Sequence, residues 1–535
     1  MSIPQSVAEV LRDRVTLEVE GIDRLYLNVY VPNLQTEAGV AAFFRSHLGY
    51  AFASSALMDP ITKRFIRSIE VFAETNQIPI RLFRKGERKD DVAAEYRARF
   101  EGQEGVLFIG KAQEKISVFR TEKRRNPATG ATYPWIVRST ALVNQYYFYC
   151  MDLDFGPFFL KFSSYFPYTG RLCINGHEYA KRQLAAEGIA FEALDNGILR
   201  CDDPVRLQEI CNDLCGEKID GLARKWFAIL PHPFTAADRK AGYRYDLSIL
   251  QAEFSLTQVL DQPVSGRIFF EEVIRENLDL GRPDQVQLIF NKRIRRQTPG
   301  RLQTRVITQG VIPSLHVNYK NTRIKQYYKE GRALRTETTI NDTRDFNLGK
   351  RLHNLPALRQ IGFQANRRLL DIQRISHDCA VGQAELDRVV QPLQVKGQRV
   401  AGLHFDDHRV QALFSVLVLF VFQVRGFANK DFREPLAHLL GLAPEKITQG
   451  QMTYDLRRLR LHGLIERIPK THRYRLTSFG LRVALFFSRT YARLLRPGLA
   501  SLAPSPPSGK SRLRQAFEKL EGEIYRFCEG EKLVA

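Results

Sequence analysis

Five segments between Phe405 and Arg496 arrive in an order that few folds accommodate, and they constrain this chain more than any other stretch. An apolar run, Val410–Phe422, stops before Gly426 and Asn429. Lys430–Leu440 follows and is closed by Gly441. Gln449–His462 then ends at Gly463, the residue type expected just past a helix. Within it Met452, Leu456, Leu459 and Gly463 recur at steps of four, three and four, which is one helix face. Arg457, Arg458 and Arg460 are expected on the side away from that stripe. Leu464–Ile468 and His472–Leu476 alternate like two strands about the turn Pro469–Thr471. Phe479–Leu495 is amphipathic and closes the unit as a last helix.

Helix, helix, basic helix, hairpin, helix is the order of a winged helix-turn-helix. Its third helix suits the major groove of DNA. The hairpin, with Arg467, Lys470, His472, Arg473 and Arg475, suits the phosphates or the minor groove beside it. The same order also serves as a protein-docking platform, and a helical end-cap would carry Arg on its solvated face too.

The charge balance points the same way. A net charge of +22 and a pI near 9.7 favour a polyanionic partner, DNA before RNA. With 44% hydrophobic and 11% aromatic residues, 535 residues are ample for packed cores in about three domains. The start, Met1–Ser6, has neither a charged nor an apolar leader segment. Val410–Phe422 is too short to span a bilayer, so no membrane partner is expected. Seven scattered cysteines without a C-x-x-C pair fit a reducing cytoplasm. Oligomeric state is left open.

Ahead of that unit the expected class is α+β and multidomain, with mixed α/β and antiparallel β parts. Residues 1–115 form an α/β domain, with a helix over residues 1–20 and a strand Arg24–Val31. Residues 116–232 are a hairpin and αβ region that includes the basic ribbon Phe119–Arg125. Residues 233–390 combine helices, among them Tyr245–Val259 and Phe269–Glu276, with a basic hairpin. The winged helix occupies 403–496. A Pro- and Ser-rich linker and a charged helix, Arg512–Glu529, fill 497–535.

Four further stretches carry candidate chemistry. A helix opening at His177, with Lys181 and Arg182 one turn on, would offer free N–H groups to phosphate. The run Lys292–Arg301 brings Lys292, Arg293, Arg295 and Arg296 together. On the hairpin about Glu330–Gly331, Arg323, Lys325 and Tyr327 share one face and Arg335 stands on the returning strand. Basic and aromatic side chains so arranged suit backbone contact with base stacking, and also suit any half-exposed antiparallel pair. Finally, Glu114 with Lys115, and Asp152 with Asp154, are the acids that could hold a divalent ion such as Mg²⁺ and orient water. They define the rival reading, a metal-dependent nuclease or transposition-type enzyme. Walker, G-x-S-x-G, H-x-H and H-E-x-x-H motifs are missing from the sequence.

Taken together, FPYTGRLCINGHEYAKRQL (166–184), RIKQYYKEGRALRTETTIND (323–342) and THRYRLTSFG (471–480) resemble a widespread bacterial protein family with a C-terminal winged-helix, MarR-like domain. The likeness spans roughly residues 10–496. It implies a cytoplasmic nucleic-acid-binding protein, one associated with mobile DNA or regulation, and carries no catalytic residues over. MarR repressors are small, whereas about 400 residues precede the module here.

Overall fold

The computed structural model describes residues 14–84, 86–262, 286, 289, 290, 292, 303–307, 314–377, 381–395, 397–419, 426–469, 471–491 and 519. The chain is mixed α and β and divides into two compact units, Val10–Leu369 and one built on Leu370–Ala535.

In the first unit β1 (Val15–Tyr30) lies at the centre of a large sheet. Leu25, Leu27 and Val29 alternate along it and are fully buried, the period-two pattern of a strand with one face in the core. On one side β1 pairs with β6 (Gly170–Asn175), and β5 (Gly156–Ser163), β4 (Thr132–Asp152), β3 (Gly105–Arg125) and β2 (Ile80–Leu82) follow outward. On the other it pairs with β9 (Asp246–Leu260), followed by β13 (Ala333–Ile340), β12 (Thr322–Lys329), β11 (Ser314–Tyr319) and β10 (Gln303–Ile307). All these pairs are antiparallel except β2 with β3, where the helix Lys89–Ala98 makes the crossover. Helices Ser55–Thr75, Gly176–Ala186, Pro204–Asp213 and Gly216–Ile229 supply the apolar cover.

Three expectations need correction. Residues 15–20 belong to β1 rather than to a helix. Tyr245–Val259, expected as a helix, is strand β9. Its pairing with β1 shifts register where Tyr26 faces Gln251 but Leu27 faces Ile249, and that extra residue breaks the alternation of Leu247 and Ile249 with Ala252, Phe254 and Leu256. As a central strand it is covered on both faces, so Ser255, Thr257 and Gln258 are buried with its apolar residues and blur the pattern further. Lastly, segments 1–115, 116–232 and 233–390 all contribute strands to one sheet, because β1 needs partners from each of the other two segments. The helix expected at Phe269–Glu276 lies outside the described residues. So do the 497–535 linker and charged helix, Lys519 excepted.

In the second unit, helices His408–Leu419, Asn429–Leu439 and Gln449–Leu461 are followed by a hairpin of Ile465–Arg467 with Tyr474–Leu476 and by helix Ser478–Thr490. Phe414 and Phe487 join the first and last helices, their ring centroids 4.6 Å apart. Phe427 bridges Tyr474 and lays a third segment beside the hairpin. Gly426, at φ +64°, permits that approach, since a Cβ there would fall 2.3 Å from the Tyr474 carbonyl oxygen. The stretch 391–402 forms a small hairpin, Leu393–Val395 with Gln398–Val400. Among the described residues no helix is long and apolar enough to cross a membrane.

Candidate functional site

Helix Gln449–Leu461 starts at Thr448, whose hydroxyl accepts from the Gln451 N–H while Gln451 Oε1 accepts from the Thr448 N–H at 3.0 Å. Met452, Leu456 and Leu459 are buried as their spacing requires. The buried stripe is wider than those residues, however. Asp455 is buried against Arg409, 2.6 Å away. Arg458 is buried as well and donates to the Gly402 carbonyl. It does not point away from the core, because the 388–402 segment packs where solvent was expected: His462 meets the carbonyls of Arg388 and Ala401 at 2.9 and 3.0 Å. The outward face holds Thr453, Tyr454 and Arg460, with Arg457 half-exposed and donating to Gln398.

On the hairpin, Arg467, His472 and Arg475 are exposed. Arg467 braces the turn by donating to the Thr471 carbonyl at 2.8 Å, and Arg475 pairs with Glu466. Arg473 is half-buried, 3.6 Å from Asp431. Lys470 lies outside the described residues.

The other basic candidates fare differently. Register confirms that Tyr327 faces Arg335 and Lys325 faces Glu337. Yet Arg335 has no exposed surface: it holds Asp23 and Glu337, each at 2.8 Å, and donates to His177 Nε2 at 2.8 Å. Burial would raise the Asp23 carboxyl, but Arg335 and His177 outweigh it and keep Asp23 well below the usual carboxylate range. Burial, with Arg335 adjacent, pushes His177 down to about 3, so it is a neutral core imidazole rather than a phosphate ligand. The helix end is closed besides, since Asn175 Oδ1 accepts from the N–H groups of His177 and Glu178. Lys181 is spent on Glu178 and the carbonyls of Leu194 and Asp195. Arg182 lines a cavity of about 580 Å³ with Arg97 and Lys181. Tyr327 donates to Glu337 at 2.8 Å, and Lys325 lies 4.0 Å over its ring. Arg323 remains exposed. Lys292 sits over Phe346, and Arg293, Arg295 and Arg296 lie outside the described residues.

Among the acids, Glu114 and Asp152 are brought to different places. Glu114 Oε2 accepts from Lys161 at 2.6 Å, and Oε1 from Lys89 at 3.1 Å and from the Tyr147 hydroxyl. Burial alone would raise this carboxyl, but the bonds from Lys161 and Tyr147 hold it down at about 2. Asp152 is buried, its Oδ1 taken by the N–H groups of Asp154 and Phe155 and its Oδ2 by Lys225 and Trp226. Hard divalent ions need several oxygens with spare lone pairs, and here two ammonium groups crowd one carboxylate and an Asx turn consumes the other. Mg²⁺ does not fit either site. Among the described residues no group of three or more His, Cys, Asp or Glu is placed to hold a metal.

Glu114 and Lys115 do line a cavity of about 590 Å³, together with Gln145, Lys161, Arg138 and Arg171. Residues that sequence spacing did not single out lie farther out on the same strand pair: Tyr133 and Trp135 are exposed on β4, opposite Arg124 and Glu122 of β3. The basic run Arg120–Arg125 was legible; its pairing with two exposed rings needed the register.

No family model and no curated protein matches the chain. Among solved structures, a rolling circle replication initiator protein from Geobacillus stearothermophilus is similar over 70% of this chain and 84% of that one, at 7% identity and a TM-score of 0.17. That likeness is too slight to inform fold or function.

Proposed function

We propose that this is a nucleic-acid-binding protein whose segment 403–496 is a winged helix-turn-helix that meets DNA. The observation that carries this reading is the outward face of helix Gln449–Leu461. It presents Thr453, Tyr454, Arg457 and Arg460 to solvent beside a hairpin that exposes Arg467, His472 and Arg475. A capped helix with a polar, cationic face is the shape that enters a major groove, and the flanking hairpin reaches the backbone. The net charge of +22 supplies long-range attraction to the same partner. Regulation or the traffic of mobile DNA in a bacterial cytoplasm is the setting that the family resemblance implies.

The test is a filter-binding titration of the full chain on duplex DNA across salt. Log affinity should fall with log salt at a slope well beyond about −1, since each phosphate neutralised releases counterions. A flat response would sink the reading and leave protein docking as the use of this module.

A further inference from the structure

The two longest strands of the sheet leave it. β3 and β4 stay paired from Gly105 with Met151 to Arg125 with Thr132. β5 accompanies β4 only as far as Gln145, and β2 touches β3 only at Ile109–Lys111. From Gln113 outward the pair is a two-stranded ribbon, roughly 40 Å long at about 3.3 Å per residue. It is docked as far as Thr121: the Ser55 N–H donates to Thr121 Oγ1 at 2.7 Å, and Val118, Phe119 and Ile136 are buried. Beyond them each residue from Glu122 to Trp135 is exposed or half-exposed.

Cross-strand register puts Arg124 opposite Tyr133, Glu122 opposite Trp135 and Arg120 opposite Val137, so Arg120, Glu122, Arg124, Tyr133 and Trp135 share one face, where Glu122 is the one acid. Tyr133 is 40% exposed and Trp135 44%, and the Arg124 guanidinium lies 5.1 Å over the Trp135 ring. Lys123, Arg125 and Arg138 lie on the other face. At the root, the cavity walls carry Lys115, Arg138, Lys161 and Arg171 with Glu114 as the one acid.

We propose that this ribbon holds a single-stranded stretch of nucleic acid. Unpaired bases stack on Trp135 and Tyr133, and phosphates follow Arg124 and Arg120 on the same face toward the cationic cavity. The inference rests on the nucleic-acid reading above and adds a second, strand-specific site to it. A duplex is the poorer occupant. Its major groove admits a two-stranded ribbon, but its base faces are already stacked and two exposed rings would meet only base edges.

Tryptophan emission tests this in the full chain. There are two tryptophans, and Trp226 is 1% exposed in the core, so the difference between wild type and Trp135→Phe reports Trp135. Labelled oligothymidylate should bind by anisotropy and quench that component. Trp135→Ala should weaken binding roughly ten- to a hundred-fold with an unchanged melting temperature. If oligothymidylate binds while the Trp135 component and the Trp135→Ala affinity stay unchanged, the inference is overturned and the nucleic-acid reading stands. If duplex alone binds and quenches Trp135, the ribbon is a groove reader and the inference is likewise overturned. If neither oligothymidylate nor duplex binds, both readings fall together.

Discussion

Arg335 shows what one residue can do in a sheet this wide. It reaches Asp23 from β1, Glu337 from its own strand and His177 from a helix, with no water-exposed surface of its own. Arg335→Met should cost about 3–5 kcal/mol in urea unfolding, because two buried acids lose their partner. His177 makes the pH dependence testable. Its ordinary value of 6.5 applies in the unfolded chain and about 3 in the folded one, so the unfolded state binds the extra proton between those limits. Stability therefore falls as pH falls through that window, by about 1.4 kcal/mol per pH unit for each such proton. His232, lowered to about 4 by burial and then by Arg239, acts in the same direction. Glu253 and Glu337, raised chiefly by burial, oppose it where they titrate. His177→Gln should flatten the fall between about pH 7 and about pH 5. An unaltered slope in the variant would show that His177 titrates freely in the folded chain.

Among single elements, helix Gln449–Leu461 separates folding from binding most cleanly. Arg458→Ala should lower stability by about 1–3 kcal/mol, since the buried Gly402 carbonyl loses its donor. Leu456→Ala should cost about 2–5 kcal/mol through a cavity. Arg460→Ala should leave melting unchanged, weaken DNA binding alike on all sequences and reduce the salt slope by about one if it meets phosphate. If it reads a base edge instead, about 1–3 kcal/mol is lost and preference relaxes at one position. Melting curves and filter binding on the same three variants decide it. Loss of fold in Arg460→Ala with no loss in Arg458→Ala would mean that the helix faces the other way.

For the molecule as a whole, the sheet ties distant sequence together: Val15 faces Leu260 across β1 and β9. Such non-local pairing should make the compact Val10–Leu369 unit unfold as one body despite its length. Deleting residues 1–31 removes β1 and should unfold that unit entirely, leaving β6 and β9 as raw edges. A fragment of residues 116–232 alone should fail to fold for the same reason. Circular dichroism of both truncated chains is the measurement; native-like, cooperative melting of either would show that the sheet is built from separable parts.

Local events are legible in neighbouring residues. Period and turn chemistry place the hairpins at Asn126–Gly130, Asp152–Gly156 and Glu330–Gly331, and the helices from Pro60, His177, Leu355 and Gln449, because i,i+2 and i,i+4 neighbours decide them. They also place the five C-terminal segments in order. Tertiary structure alone decided which side of each element meets water. Arg335 and Arg458 stand in the same local patterns as exposed arginines, and only packing from a distant helix or loop buries them. Trp135 shows the reverse: an aromatic in a strand reads as core, yet β3 and β4 outrun their neighbours and leave it in solvent. β9 departs from a strand's alternation because it is covered on both faces, and coverage by residues far along the chain leaves no trace in its own period.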